Sequence, residues 1–205
     1  LASMDETALI QEALDGNLGS FNNLVVQYQD MAFNVAYRIM GEPGAAEDAT
    51  QEAFISVYQK LEQFRGGSFK TWLLRIVSNA CYDELRRRQR QPVAPLKPEV
   101  NDGETWEEPD WLKDPSASPE ECFEQAVLQD AIQECINKLD DKFRVILVLV
   151  DVEGLDYKTA AAAAGAPLGT VKSRLARARD RIQNCLQRFW ELLPDMFRLK
   201  DEETA

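Results

Sequence analysis

Two sets of side chains in this sequence have types and spacing suited to chemistry, and neither is catalytic. The first is a run of cations, Lys172, Arg174, Arg177, Arg179 and Arg181, along a helix-forming stretch of small residues. Cations at that spacing hold phosphates, and a helix with a small, polar start can enter a duplex groove and meet base edges. The second is Phe64, Phe69 and Trp72 around Gly66-Gly67, followed by Arg86, Arg87, Arg88 and Arg90. Aromatic faces beside a permissive backbone can take up an unstacked base, or they can simply staple two helices together. Four arginines so close together exceed what a helix dipole calls for, which favours phosphate contact.

Hydrolytic and nucleotide-driven chemistry lack their usual groups. The chain has no histidine, no G-x-S-x-G turn and no phosphate-cradling glycine loop, so it does not read as an enzyme. Cys81, Cys122, Cys135 and Cys185 show no C-x-x-C spacing. They read as buried or half-buried small apolar residues, with no metal or cofactor expected. No apolar run reaches the ~18 residues of a membrane span. Nothing resembles a secretory signal, and a cytoplasmic location without membrane insertion is expected. Leu1-Ala2-Ser3, ahead of Met4, read as foreign to the fold.

The elements that must position these groups follow from charge and period. The net charge is −12, and residues 91–120 alone carry eight acids against two bases, with many prolines and no helical period. Such a segment cannot bury enough apolar surface to fold alone. The expected architecture is therefore all-α: two small helical domains joined by an acidic flexible linker, with bounds 4–90, 91–119 and 120–190 and an acidic tail at 191–205. The linker is either a solvated spacer or an acidic strand lying in a basic channel of a partner, where Trp106 and Trp111 would be covered.

Within the first domain, Asp5 can cap a helix through Leu9, Ile10, Ala13 and Leu14. The stripe Phe21, Leu24, Val25, Tyr28, Ala32, Val35, Ala36, Ile39 predicts a second helix that stops at Met40-Gly41-Glu42-Pro43. A third spans about 44–63, with Ala49, Ala53, Val57 and Leu61 inward and Glu47, Asp48, Gln51, Glu52 and Ile55 outward. Exposed carboxylates beside exposed apolar groups suit a polar-rimmed protein interface. A fourth covers 71–90. In the second domain, helices are expected over 119–139, from a cap at Asp140 or Asp141, over 157–164 behind an Asp156 cap, and over about 168–190 after a Gly165-Ala166-Pro167 turn. On the last, Val171, Leu175, Ala178 and Ile182 form an inner arc, with Arg174, Arg179 and Arg181 flanking the outer face. That is the pattern of a helix-turn-helix reader.

Taken in order, DGNLGSFNNLV (15–25), AEDATQEAF (46–54), FRGGSFKTWLLRIVSNACYDELRRRQR (64–90) and PLGTVKSRLARAR (167–179) resemble the extracytoplasmic-function (ECF) sigma factors. These are compact promoter-specificity subunits of bacterial RNA polymerase in the sigma-70 family. The resemblance implies a region 2 domain that binds core polymerase and the −10 element, and a region 4 domain that reads the −35 element. It places Asp48, Gln51, Glu52 and Phe54 against the core. It assigns Phe64, Arg65, Ser68, Phe69, Lys70, Arg75, Asn79, Asp83, Arg86 and Arg87 to the −10 strand, and Gly169, Thr170, Lys172, Ser173, Arg174 and Arg177 to −35 duplex. The partners implied are core RNA polymerase, promoter DNA and an anti-sigma factor. An autonomous helix-turn-helix regulator is the competing reading, but it would have no use for the acidic-apolar helix or the aromatic Gly-Gly loop.

Overall fold

Glycine, proline and short polar caps punctuate the chain, and the helices break where these residues fall. A computed structural model describes residues 6–90 and 119–192, and every element among them is helical. The first half holds α1 (Glu6–Leu14), α2 (Leu18–Met40), α3 (Pro43–Lys60) and α4 (Phe69–Arg90). The second holds α5 (Pro119–Asn137), α6 (Asp141–Leu147), α7 (Tyr157–Ala163) and α8 (Leu168–Leu186). Asp5, the acidic Pro-rich segment with Trp106 and Trp111, and the tail beyond Leu192 lie outside the described residues.

In the first half, Asn17 opens α2 by accepting from the backbone amides of Gly19 and Ser20 at 2.9 and 3.2 Å. Gly41, at φ 76°, closes it as the left-handed residue. Pro43 then starts α3, where a missing amide costs nothing. The helix expected to run to Gln63 instead ends at Lys60 and tightens into a 3-10 turn over Leu61–Gln63. The core forms where Leu24, Val35 and Ile39 of α2 meet Ala46, Ala53 and Val57 of α3 and Leu73, Leu74 and Val77 of α4, each at most 1% exposed. Burying each larger side chain contributes about 1.5–3 kcal/mol.

In the second half, the apolar run Phe143–Leu149 is buried on all sides, as its composition predicts. It does not stay α-helical but widens into a π-helical turn over Val148–Val152, which hydrophobic period alone does not reveal. Asp140 occupies the cap position of α6 without a side-chain cap bond. Its carboxylate accepts from Arg181 at 2.7 Å, and the same guanidinium lies over the Phe143 ring at 4.5 Å.

One expectation is overturned. Cys135 of α5 and Cys185 of α8 are not independent apolar residues but a disulfide, with Cα atoms 5.7 Å apart and a sequence separation of 50. Short-range spacing cannot reveal a pair that helix packing brings together. Cys81 is free and buried, as expected, and burial pushes its thiol up to about 12.

The two halves share one continuous apolar cluster. α2 touches α5, α6 and the π-helical turn, and α4 touches α6 and α7.

Candidate nucleic-acid interface

The basic helix α8 starts bare. Pro167 stands at its cap position without a side-chain bond, and the bond from Val171 N to Pro167 O, at 3.0 Å, closes its first turn. The preceding amides point outward with the positive end of the helix dipole, and a Cβ at Gly169 would meet nothing within 4 Å. Lys172, Ser173 and Arg177 are exposed, and Thr170 and Arg174 are half-buried. Behind them Val171, Leu175 and Ala178 are at most 2% exposed. α7 is held in place by Asp156, whose carboxylate accepts from the amides of Lys158 and Thr159 at 2.8 and 3.2 Å and from the Thr159 hydroxyl at 2.6 Å. The Thr159 hydroxyl, and then the two amides, hold that carboxyl below its usual range.

Arg179 and Arg181, expected to flank the groove and hold the backbone, are tied up inside the domain. Arg179 grips Asp151 bidentately at 2.9 and 2.6 Å, which raises its pKa, and Arg181 takes Asp140. Their acidic partners lie on the segment folded against α8, which a helical wheel does not show.

The loop between α3 and α4 needs its glycines. Gly66 and Gly67 sit at φ 87° and 89°, where a side chain is strained. Phe64, Phe69 and Trp72 form one aromatic cluster with ring centroids 5.4–5.7 Å apart, and Tyr28 joins it through Phe69 at 5.4 Å. Phe69 is 1% exposed, so its ring buttresses the cluster and cannot reach a base. Its place at the first position of α4 turns it inward. Phe64 and Trp72 are half-buried and keep an outer edge. Trp72 belongs with the loop, as its place among the loop's aromatics in the sequence suggested, although the resemblance did not assign it to the −10 strand. It stands three residues from Phe69, one helical turn on. Arg65, Ser68 and Lys70 are exposed, the Ser68 hydroxyl accepts from the Thr71 amide at 3.2 Å, and Lys70 reaches Glu153 of the second half at 3.5 Å.

Along α4, Arg75, Asn79, Asp83, Arg86 and Arg87 are all exposed. The arginine cluster is partly neutralised from within. Glu84 accepts from Arg87 at 2.6 and 2.9 Å and from Arg88 at 3.0 Å, and Arg88 also reaches Glu42 at 2.8 Å. The Arg87 hydrogen bond leads in holding the Glu84 carboxyl below its usual range. Arg86 lies over the Tyr82 ring at 5.5 Å.

The groove between α3 and α4, about 440 Å³, joins two sets that the sequence kept apart. Asp48 and Glu52 stand on one wall, Asn79, Asp83 and Arg87 on the other, above Ala49, Ile76 and Ala80. Gln51 is exposed, while Phe54 is half-buried against the core. Ile55 and Tyr58, 45% and 51% exposed, supply the apolar surface there, and Phe21 braces Tyr58 edge-on at 4.9 Å.

Residues 24–91 match the family model Sigma-70 region 2, and residues 129–182 match Sigma-70, region 4. The chain is 34% identical over 185 residues to the ECF RNA polymerase sigma-E factor of Escherichia coli K12, an alignment covering 90% of this chain and 95% of that one. The chain belongs to the ECF sigma-factor family. This sigma factor is also 34% identical over 188 residues to the RNA polymerase sigma-H factor of Pseudomonas aeruginosa, covering 91% and 96% of the two chains. It is 36% identical over 167 residues to the ECF RNA polymerase sigma factor SigE of Mycolicibacterium smegmatis, covering 82% of this chain but 62% of that longer relative. Among solved structures, the sigma factor RpoE of Bartonella quintana, in complex with the anti-sigma factor NepR, matches with TM-score 0.59 and 27% identity over 82% of this chain and 96% of that one. CnrH in complex with the cytosolic domain of CnrY shares the fold, with TM-score 0.58 and 23% identity over 88% and 96% of the chains. As a sigma factor the chain binds core RNA polymerase and directs promoter-specific initiation. No helix among the described residues is long and apolar enough to cross a membrane.

Proposed function

We propose that this sigma factor divides promoter recognition between two surfaces, a bare-ended helix for duplex −35 DNA and an aromatic-glycine loop for the opened −10 strand. Residues 4–90 make the core-binding and −10 half, residues 120–190 the −35 half, and residues 91–119 the tether between them. On α8, the amides around Gly169 and Thr170 meet phosphate while Lys172, Ser173, Arg174 and Arg177 meet the groove. At the loop, Phe64 and Trp72 flank the flipped base, Phe69 holds them from behind, and Arg65, Ser68 and Lys70 hold the strand. Arg75, Asn79, Asp83, Arg86 and Arg87 carry the strand along α4. Asp48, Gln51 and Glu52, with Ile55 and Tyr58 as apolar centre and Phe54 supporting from below, bind the polymerase core.

The observation that carries this reading is the pairing, on one chain, of an uncapped basic reading helix with a double-glycine loop walled by half-buried aromatics. An operator-binding regulator needs the first feature and has no use for the second. None of these groups needs to make or break a bond, so the factor acts without catalysing a reaction, and it works in the cytoplasm where polymerase is. The likeness to a sigma factor solved with an anti-sigma factor supports a protein inhibitor as a further partner. Run-off transcription with purified core polymerase on a fragment library, with start-site mapping, tests the reading. Transcripts sharing −10 and −35 sequences that appear only with this chain are expected; their absence would sink it.

A further inference from the structure

The aromatic cluster at the Gly66-Gly67 loop does not end at Phe69. Tyr28 of α2, which the sequence reads as one member of a core stripe, lies against the Phe69 ring at 5.4 Å and 54°. It is half-buried, and its hydroxyl donates to the Glu6 carboxylate of α1, 22 residues earlier. Burial first, and then the bond to Glu6, raise the Tyr28 hydroxyl above its usual range, so it stays protonated and keeps donating. A phenylalanine would give Phe69 the same ring. The hydroxyl adds a fixed point, because a donor bonded to a carboxylate is held roughly twice as strongly as in a neutral pair.

Gly66 and Gly67 cannot fix the loop, since they carry no side chain and a Cβ at either would meet nothing within 4 Å. Its two rings with an outer edge, Phe64 and Trp72, rest on the ring behind them, Phe69, which meets each at 5.7 Å. Tyr28 backs Phe69 in turn. α1 packs on α2 through buried Leu9, Ile10 and Ala13. A second carboxylate of α1, Glu12, accepts from the buried Ser20 hydroxyl. That second tie fastens the same two helices about two turns along α2 from Tyr28.

We propose that Tyr28 and Glu6 are positioning residues for −10 recognition: the bond from α1 holds the Tyr28 ring, Tyr28 holds Phe69, and Phe69 sets the gap between Phe64 and Trp72 that takes the flipped base. This rests on the assignment of the loop to the −10 strand. Glu6 also sits in the first turn of α1, where a carboxylate favours the helix dipole. The dipole needs only the charge, whereas the brace needs an acceptor oxygen at the Tyr28 hydroxyl. Substitution separates the two. Glu6→Gln removes the charge and keeps an acceptor oxygen, and Glu6→Ala removes both.

The test uses holoenzyme assembled from the full chain and core polymerase, with fluorescein-labelled single strands that carry the mapped −10 sequence or one base change within it. Anisotropy gives the ratio of affinities between the preferred strand and each changed one. An unfolded fraction lowers the concentration of binder but leaves that ratio alone, which separates positioning from stability. Tyr28→Phe is expected to narrow the ratio at the flipped base by about threefold, the scale of one hydrogen bond, with the other positions unchanged. Glu6→Ala is expected to do the same, Glu6→Gln to restore most of the ratio, and Ser20→Ala, which cuts the other α1 tie, to leave it as it was. An unchanged ratio in Tyr28→Phe or in Glu6→Ala overturns the proposal. So does an equal narrowing in Ser20→Ala, or a Glu6→Gln ratio no better than that of Glu6→Ala. The −10 reading fails separately if Trp72→Ala leaves every ratio untouched, and the brace falls with it.

Discussion

Single side chains in this molecule earn their roles through what already holds them. Of the cations along α8, Arg179 and Arg181 are held by Asp151 and Asp140, which leaves Lys172 and Arg177 as the exposed ones at the reading end. Arg177→Ala is expected to weaken binding to the preferred −35 duplex by about 1–3 kcal/mol and flatten discrimination at one base position, as holoenzyme binding to −35 variants will show. The aromatic cluster divides in the same way. Phe69→Ala empties a fully buried site and should cost about 3–5 kcal/mol in urea unfolding. Trp72→Ala should leave stability largely intact and reduce promoter opening, read by permanganate reactivity of the −10 thymines. Equal loss of stability in both variants would remove Trp72 from the strand-facing set.

At the scale of elements, α3 and α8 each present an outward face and are stabilised from behind. The inner stripe of α3 is alanine and valine, which brings it close to α2 and α4 and frees its outer face for Asp48, Gln51 and Glu52. Placing positive charge there with Asp48→Arg and Gln51→Arg together should reduce polymerase pull-down while helix content stays the same. α8 is cross-linked to α5 through Cys135–Cys185, which closes a 50-residue span that includes the reading unit. In the chain-entropy account such a closure contributes about 4 kcal/mol. Dithiothreitol, or Cys185→Ser, should therefore lower the unfolding midpoint of the region 4 half. A midpoint indifferent to reductant would mean that the packing of α6 against α8 carries that half unaided.

For the molecule as a whole, the seam where Glu153 of the second half meets Lys70 of α4 links conformation to pH. With the seam open, Glu153 lies in water near its ordinary 4.5; closing raises it, burial acting against Lys70 on α4 and Arg38 on α2. Asp151, on the same turn, is already neutralised by Arg179. A carboxyl raised where the halves pack means that packing takes up a proton, so the contact is strongest below the ordinary carboxylate value and weakens as pH rises from there through the raised one. The radius of gyration should thus be smaller at about pH 4.5, the ordinary carboxylate value, than at about pH 7.5, and Glu153→Gln should remove its part of that difference. The net charge of −12 gives the same whole-molecule logic for DNA. Local arginines on an acidic chain are expected to bind duplex weakly, with the missing affinity supplied through effective concentration when both readers are mounted on polymerase.

Periodicity and punctuation were enough to read the helices, their inward faces and the two motifs proposed to face DNA. Those features are local: the stripe through Val171, Leu175 and Ala178, the glycines at 66 and 67 and the Asp156 cap act within a few residues of themselves. Packing settled everything that depended on distant neighbours. It joined Cys135 to Cys185, withdrew Arg179 and Arg181 from the groove, turned Phe69 inward and set Glu153 on Lys70. A side chain's period along its own helix says which way it faces, but only the approach of other helices says what it meets there.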